Sequence, residues 1–173
     1  GNYIGTFLDP DRGGVDTGSS LGIFVNAMIL HYERFIRDGK IGIPAGVRSS
    51  GIPRPTTTEA FYGGYSAEVA VESVQALADV LNGVGADGTD GLGLRENLEF
   101  LEAADLAADI DASASAVITE LGGLNDPLSA QIDQDAGKVV DAFTTMQSLV
   151  VLLKADMTSF LGVTITFQDT DGD

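Results

Sequence analysis

The chain is 173 residues long, the usual length of one domain built around a single core. Apolar residues make up 44% of it, so it can fold, and 26 acidic against nine basic residues leave a net charge of −17. That charge repels phosphate backbones and argues against nucleic acid as a partner. The absence of cysteine excludes disulfides, a thiolate nucleophile and Cys-ligated zinc or iron–sulfur clusters. The longest aliphatic run is Leu149–Leu153, far short of the roughly 20 apolar residues of a spanning helix, so no membrane span is expected.

Charge is unevenly spread. Residues 1–54 carry six basic and five acidic side chains, whereas residues 55–173 carry three and 21. The simplest reading of the second part is a solubilising acidic face.

In chain order, residues 1–20 read as a lead-in loop, with Asp9-Pro10-Asp11 and Gly13-Gly14 as turn signals. Ser19 or Ser20 then caps a helix running to about Asp38, with Gly39 as its exit. Its apolar stripe is Leu21, Phe24, Met28, His31 and Phe35. Lys40 to Thr58 carries Gly42, Pro44, Gly46, Gly51, Pro53 and Pro55. Proline fixes φ and removes a donor, which predicts a long loop, ordered by Ile41, Ile43, Val47 and Ile52.

Ser66 is placed to cap a helix with Ala70, Val74, Leu77 and Leu81 on one face. Beyond the Gly83–Gly93 linker, Leu94, Leu98 and Leu101 mark a short helix. Leu106, Ile110, Ala114 and Val117 mark another from about Ala104 to Leu121. Asp126-Pro127 reads as a cap with a first-turn proline. It opens the longest pattern, Ile132, Val139, Phe143, Met146, Val150, Leu153, Met157 and Phe160, with a break expected near Gly137. After Gly162 the period becomes two, predicting a short strand over Val163, Ile165 and Phe167. The fold class is all-α: an antiparallel bundle of four to five helices with a long ordered Gly/Pro loop and a short C-terminal strand. The expected division is a lead-in at 1–20, a bundle at 21–162, and a strand with acidic tail at 163–173.

Candidate chemistry is sparse. The single histidine, His31, excludes a His-Glu-x-x-His zinc site, and no Gly-x-Ser-x-Gly elbow appears. On its apolar stripe, His31 reads most simply as a core histidine. The functional alternative is a metal or substrate ligand at a domain seam. Arg37, Asp38 and Lys40 sit where the first helix opens into the loop, which also carries Arg48 and Arg54, so that four basic residues collect there. Cations there complement the helix dipole, and the alternative is a basic rim holding a carboxylate or other acidic group. Phe61, Tyr62, Tyr65 and Tyr32 could form an aromatic patch, although helix-end packing is the commoner use. Asp169–Asp173 is similar to the start of a calcium loop but ends before the position-12 Glu.

Three segments resemble the C-terminal half of the imelysin-like family. They are His31-Tyr32-Glu33-Arg34 running into Ile36–Gly46, Glu59-Ala60-Phe61-Tyr62 leading to Tyr65-Ser66, and Gly162–Phe167 with Asp171-Gly172-Asp173. The resemblance runs from about Leu21 to Asp173. It implies one of two helical bundles related by a pseudo-twofold, with a cleft between them. The family is named for an insulin-cleaving envelope protease and has relatives linked to bacterial iron uptake. Its Gly-x-His-x-x-Glu hallmark lies in the first bundle and is absent here, because Glu33 follows His31 by two positions and not three.

The resemblance therefore implies a fragment or one half of a larger protein, or else a variant that lost the proposed metal site, without catalytic residues of its own. Arg37, Asp38, Lys40 and Arg48 become candidate ligand-binding residues, and His31 a candidate metal ligand. Iron or another divalent metal is the implied cofactor, with most of its ligands outside this chain. The implied partners are the N-terminal half and an envelope protein, in the bacterial periplasm or attached to the outer membrane. The competing reading is a metallopeptidase whose motif lies elsewhere, and a third is a structural scaffold.

Overall fold

The computed structural model describes residues 2–167 and is all-α. In chain order it holds α1 (Tyr3–Phe7), α2 (Ser20–Leu30), a π-helical segment (His31–Gly42) and α3 (Ile43–Ala45). There follow α4 (Ser66–Leu81), α5 (Leu94–Phe100), α6 (Ala104–Gly122), α7 (Leu128–Val151), a second π-helical segment (Leu152–Met157) and α8 (Thr158–Leu161). The run from α2 to α3 is continuous, as is the run from α7 to α8. Four long rods result. The first packs on α4 and α7, and α6 closes the ring against both.

Three of the four rods bury the residues that their spacing predicts. α4 buries Ala70, Val74, Leu77 and Leu81, and α6 buries Ile110, Ala114 and Val117, with Leu106 half-buried. The fourth buries Ile132, Val139, Phe143, Met146, Val150, Leu153 and Met157, whereas Phe160 lies outside. In α5, Leu94 and Leu98 are buried and Leu101 is exposed. The break in α7 falls at Asp135 (φ −155°, ψ 80°), two residues before Gly137, so the glycine does not cause it. The run Leu128–Leu161 is 34 residues long, with a mean hydropathy of 1.3 in its most apolar window, enough by length and composition to cross a membrane. Its apolar side chains form the centre of the bundle core.

Caps follow the orphan-donor rule with one exchange of partner. Ser19 accepts from Gly22 N–H at 2.9 Å and starts α2 as expected. Ser66 does not cap α4. The Asp126 carboxylate, from the loop before α7, accepts from Ala67 N–H at 2.8 Å and Glu68 N–H at 3.0 Å. A full negative charge satisfies both donors at the positive end of the dipole, which a hydroxyl cannot. Ser66 instead accepts from Ala60 N–H at 3.0 Å, holding the loop above it.

Several expectations need correction. Residues 1–20 are not all loop, since they hold α1 and a 3₁₀ turn at Pro10–Arg12. The first helix does not stop at Gly39. It passes Gly42 and Pro44 and ends at Gly46, whose φ of +91° is the true terminator. Gly42 is there for packing: a Cβ would sit 2.5 Å from the Phe143 ring. Burial of Ile36, Ile41 and Ala45 outweighs the roughly 1 kcal/mol that each helical glycine costs. The ordered loop is therefore shorter than expected.

The stripe of the first helix is also rotated. Val25, Ile29, Tyr32 and Ile36 are buried, Leu21 and Phe24 are half-buried, and Phe35 is 56% exposed. Of the predicted stripe only Met28 is fully inside.

The C-terminal strand is absent as a strand. Residues 163–166 take no regular secondary structure and Phe167 is a bend; among the described residues no strand pairs with them, and Asn26 supplies hydrogen bonds to Thr164 and Thr166. The acidic ending Asp169–Asp173 lies outside the described residues.

Candidate functional site

The π-helical segment decides what faces where. At 3.6 residues per turn, positions nine apart lie about half a turn from each other. With the wider i→i+5 winding, nine residues make about two turns and return to the same face. His31, Phe35 and Lys40 therefore share one face, although an α-helix would set Lys40 opposite His31. The same winding sends Tyr32, Ile36 and Ile41 inward.

The outer face forms one wall of an open cleft of about 670 Å³. His31, Phe35, Gly39 and Lys40 come from the first rod, Ser73 from α4 and Glu59 from the loop between them. His31 stacks on Phe35 with ring centroids 5.7 Å apart. The Lys40 ammonium pairs with the Glu59 carboxylate, the lysine side chain mostly covered and the glutamate about half exposed. A second trough of about 470 Å³ adjoins the first and shares His31 and Ser73 with it. Phe24, Ala27, Met28, Leu77 and Val80 make its walls apolar. The two form one groove between the first rod and α4, charged at one end and oily at the other.

Behind the cleft lies a row of charged side chains, of which Glu33, Arg37 and Asp38 are buried. Arg48, just past the αL turn at Gly46, donates Nε–H to both Asp38 oxygens at 2.9 Å. Arg37 lies inward with its guanidinium 3.8 Å from the centre of the Phe143 ring, a cation–π contact. Glu33 accepts from the Lys154 ammonium at 3.2 Å, joining the two π-helical segments. Tyr32 is fully buried and donates its hydroxyl to the Met146 carbonyl at 3.0 Å. Burial pushes the Tyr32 phenol well above its ordinary range, with the positive charge of Arg37 pulling weakly the other way.

The sequence-derived candidates thus divide in two. His31 and Lys40 line the cleft. Arg37, Asp38 and Arg48 lie behind it, where they fix the rod and the loop after it. His31 is exposed and not a core histidine. Tyr32 is separate from Tyr62, which is fully exposed on the loop and meets Phe61 edge-on at 5.2 Å. Glu59 and Ser73 were missed as cleft residues. The available signal was the 4- and 5-residue spacing of Tyr32, Ile36 and Ile41, which fits π and not α winding.

A metal is implied by the resemblance, and the described residues do not fit one by themselves. Among them no group of three His, Asp or Glu side chains is placed to hold an ion. In the cleft the one histidine packs against Phe35 with the ring planes 30° apart, and the one carboxylate is engaged by Lys40. No chemical step through a metal follows from this chain's own residues.

Against known proteins, no curated sequence and no solved structure matches the chain. A family model described as imelysin, of peptidase class M75, matches residues 1–154. The matched stretch contains the whole first rod, the loop with Glu59, and α4, and so takes in every residue of the cleft. It ends within the second π-helical segment, short of the 163–167 segment. With most of its length matched by the model, the chain belongs to the imelysin family.

Proposed function

We propose that this chain is a non-catalytic ligand-binding module of a bacterial cell-envelope protein, serving uptake of iron or another ligand. The groove between the first rod and α4 is its binding face and its seam with a second helical bundle. The observation that carries the reading is the polar end of the groove. There Lys40, Glu59, His31 and Ser73 converge beside an apolar trough, a combination of a few placed polar groups on an oily wall that suits a ligand or partner. Arg37, Asp38 and Arg48 act as the frame that keeps Lys40 and His31 in place. The second bundle, in the same protein or on another chain, supplies the remaining ligands, and an envelope protein is the further partner. The site of action is the periplasm or the outer-membrane-attached envelope.

The test is a calorimetric titration of the full-length protein with ferrous and ferric iron, for the parent and for His31→Ala and Lys40→Ala. Loss of about tenfold or more in affinity in either variant supports the reading. Unchanged binding in both overturns it. The family model's designation as a peptidase favours one competitor, a metallopeptidase with its metal motif outside this chain. Chelator-sensitive cleavage of a peptide panel by the same full-length protein would establish that reading in place of a binding module.

A further inference from the structure

Both walls of the apolar trough repeat one spacing. The first rod contributes Phe24, Ala27, Met28 and His31, and α4 contributes Ser73, Ala76, Leu77 and Val80. Each set runs i, i+3, i+4, i+7, the stripe that one helix offers to another. Met28 and Leu77 are buried and form the floor, Ala27 and Ala76 are exposed, and Val80 stands 43% exposed on the lip. Two matching stripes side by side leave a groove whose complementary shape is a third helix. The short side chains of Ala27, Ser73 and Ala76 let its backbone come close. A small ligand fits less well, because such ligands have most of their surface enclosed and this trough is open along its outer side.

Charge sets the sign of the partner. α4 holds Glu68, Glu72 and Asp79 and no lysine or arginine. Around the helix, Glu72 and Asp79 fall about 100° from the middle of the Ser73–Val80 stripe. That is the side away from the buried Ala70, Val74 and Leu81, so the two carboxylates flank the open side of the groove. At the cleft end the Lys40–Glu59 pair shows mainly its carboxylate, the glutamate side chain being 53% exposed and the lysine 12%. Against these stands Arg34, exposed on the first rod. A second copy of this chain is a poor occupant, since it carries the same charge of −17.

We propose that the groove takes a basic amphipathic helix of a partner protein. Its apolar face lies on Met28 and Leu77. Its lysines or arginines run along the α4 side, toward Glu72 and Asp79 and, at the cleft end, Glu59. This is helix-in-groove recognition, with apolar anchors for affinity and flanking charges for orientation. The proposal names the partner chemistry of the binding face described above and rests on that reading.

The probe is a fluorescent synthetic peptide of about 16 residues, roughly 24 Å long as a helix. It carries leucine at i, i+3, i+4 and i+7 spacing and lysine along one flank, and its control has glutamate in place of each lysine. In anisotropy titrations of the full-length protein, the lysine peptide should bind about tenfold or more tightly than the control. Glu72→Lys should weaken the lysine peptide by about fivefold and tighten the control. Ala76→Glu separates docking from plain attraction. It adds a negative charge, so a surface that only gathers cations binds the lysine peptide more tightly. A carboxylate pressed against the leucines of a docked helix should instead weaken it by about tenfold. If Ala76→Glu loses its helical circular dichroism, Ala27→Glu repeats the test from the other wall. No binding of the lysine peptide, equal binding of the two peptides, or undiminished binding by the folded glutamate variant overturns the proposal. Its failure is separable from that of the binding reading: iron affinity lost in His31→Ala or Lys40→Ala, with no peptide bound, keeps the binding face and removes the helix.

Discussion

Asn26 and Thr166 are joined across 140 positions of sequence by a backbone N–H donated at 2.7 Å to a side-chain amide. Together with the bond from Asn26 Nδ2 to the Thr164 carbonyl, this reproduces the donor–acceptor pair that a neighbouring strand would offer. A segment whose sequence alternates like a strand can therefore be satisfied on an all-α body. Asn26 is itself buried, so the pairing is shielded from water.

Replacing Asn26 by Ala should leave the Thr166 N–H and the Thr164 carbonyl without their partner. We expect a loss of about 1–3 kcal/mol in urea unfolding. A loss below about 0.5 kcal/mol would show that the segment is held by something else.

The rotated stripe of the first rod gives a paired comparison. Ile29→Ala removes a fully buried side chain and should cost about 2–5 kcal/mol. Phe35→Ala, at an exposed position, should cost less than about 1 kcal/mol. The reverse order in thermal or chemical melts would restore the α-helical phase.

Two glycines should respond to alanine with opposite signs. At Gly42 the new Cβ meets the Phe143 ring, and overpacking should destabilise by about 1–3 kcal/mol. At Gly122, in the last turn of α6, nothing lies within 4 Å of a Cβ, so Gly122→Ala should stabilise by about 0.4–1 kcal/mol. Chemical denaturation of both variants checks the pair.

Tyr32 fixes a pH dependence. Its phenol is raised in the fold above the ordinary value of 10.0, so its contribution is fully present below that pH. As pH rises through the folded value the contribution is lost, because the unfolded chain gives up its proton first. Tyr32→Phe should cost about 0.5–1.5 kcal/mol near neutrality, and its disadvantage should shrink above pH 10. A constant difference across pH 8–11 would place Tyr32 in water.

Most of the fold was legible because α4, α6 and α7 alternate apolar and polar residues at the helical period. The first rod was not. From Leu21 to Leu30 it is apolar on nearly every side, with Ile23, Phe24, Val25, Met28 and Ile29 offering more than one stripe. Burial followed the line that also holds Asn26, Glu33 and Arg37, because those side chains have partners on α7 and beyond. Gly39 and Gly42 read as exit and loop but lie inside the π-helical segment, and Pro44 lies in α3 directly after it. Lys40 and His31 were singled out from composition, position and the family resemblance. Glu59 was not, since its partner lies 19 residues away across the loop.

Paramagnetic iron provides the sharpest test of the cleft as the binding face. In amide NMR spectra of the full-length protein, substoichiometric iron should first broaden the signals of His31, Gly39, Lys40 and Ser73. Broadening that begins instead at acidic surface positions such as Asp105 and Asp109, with the cleft amides unaffected, would contradict it.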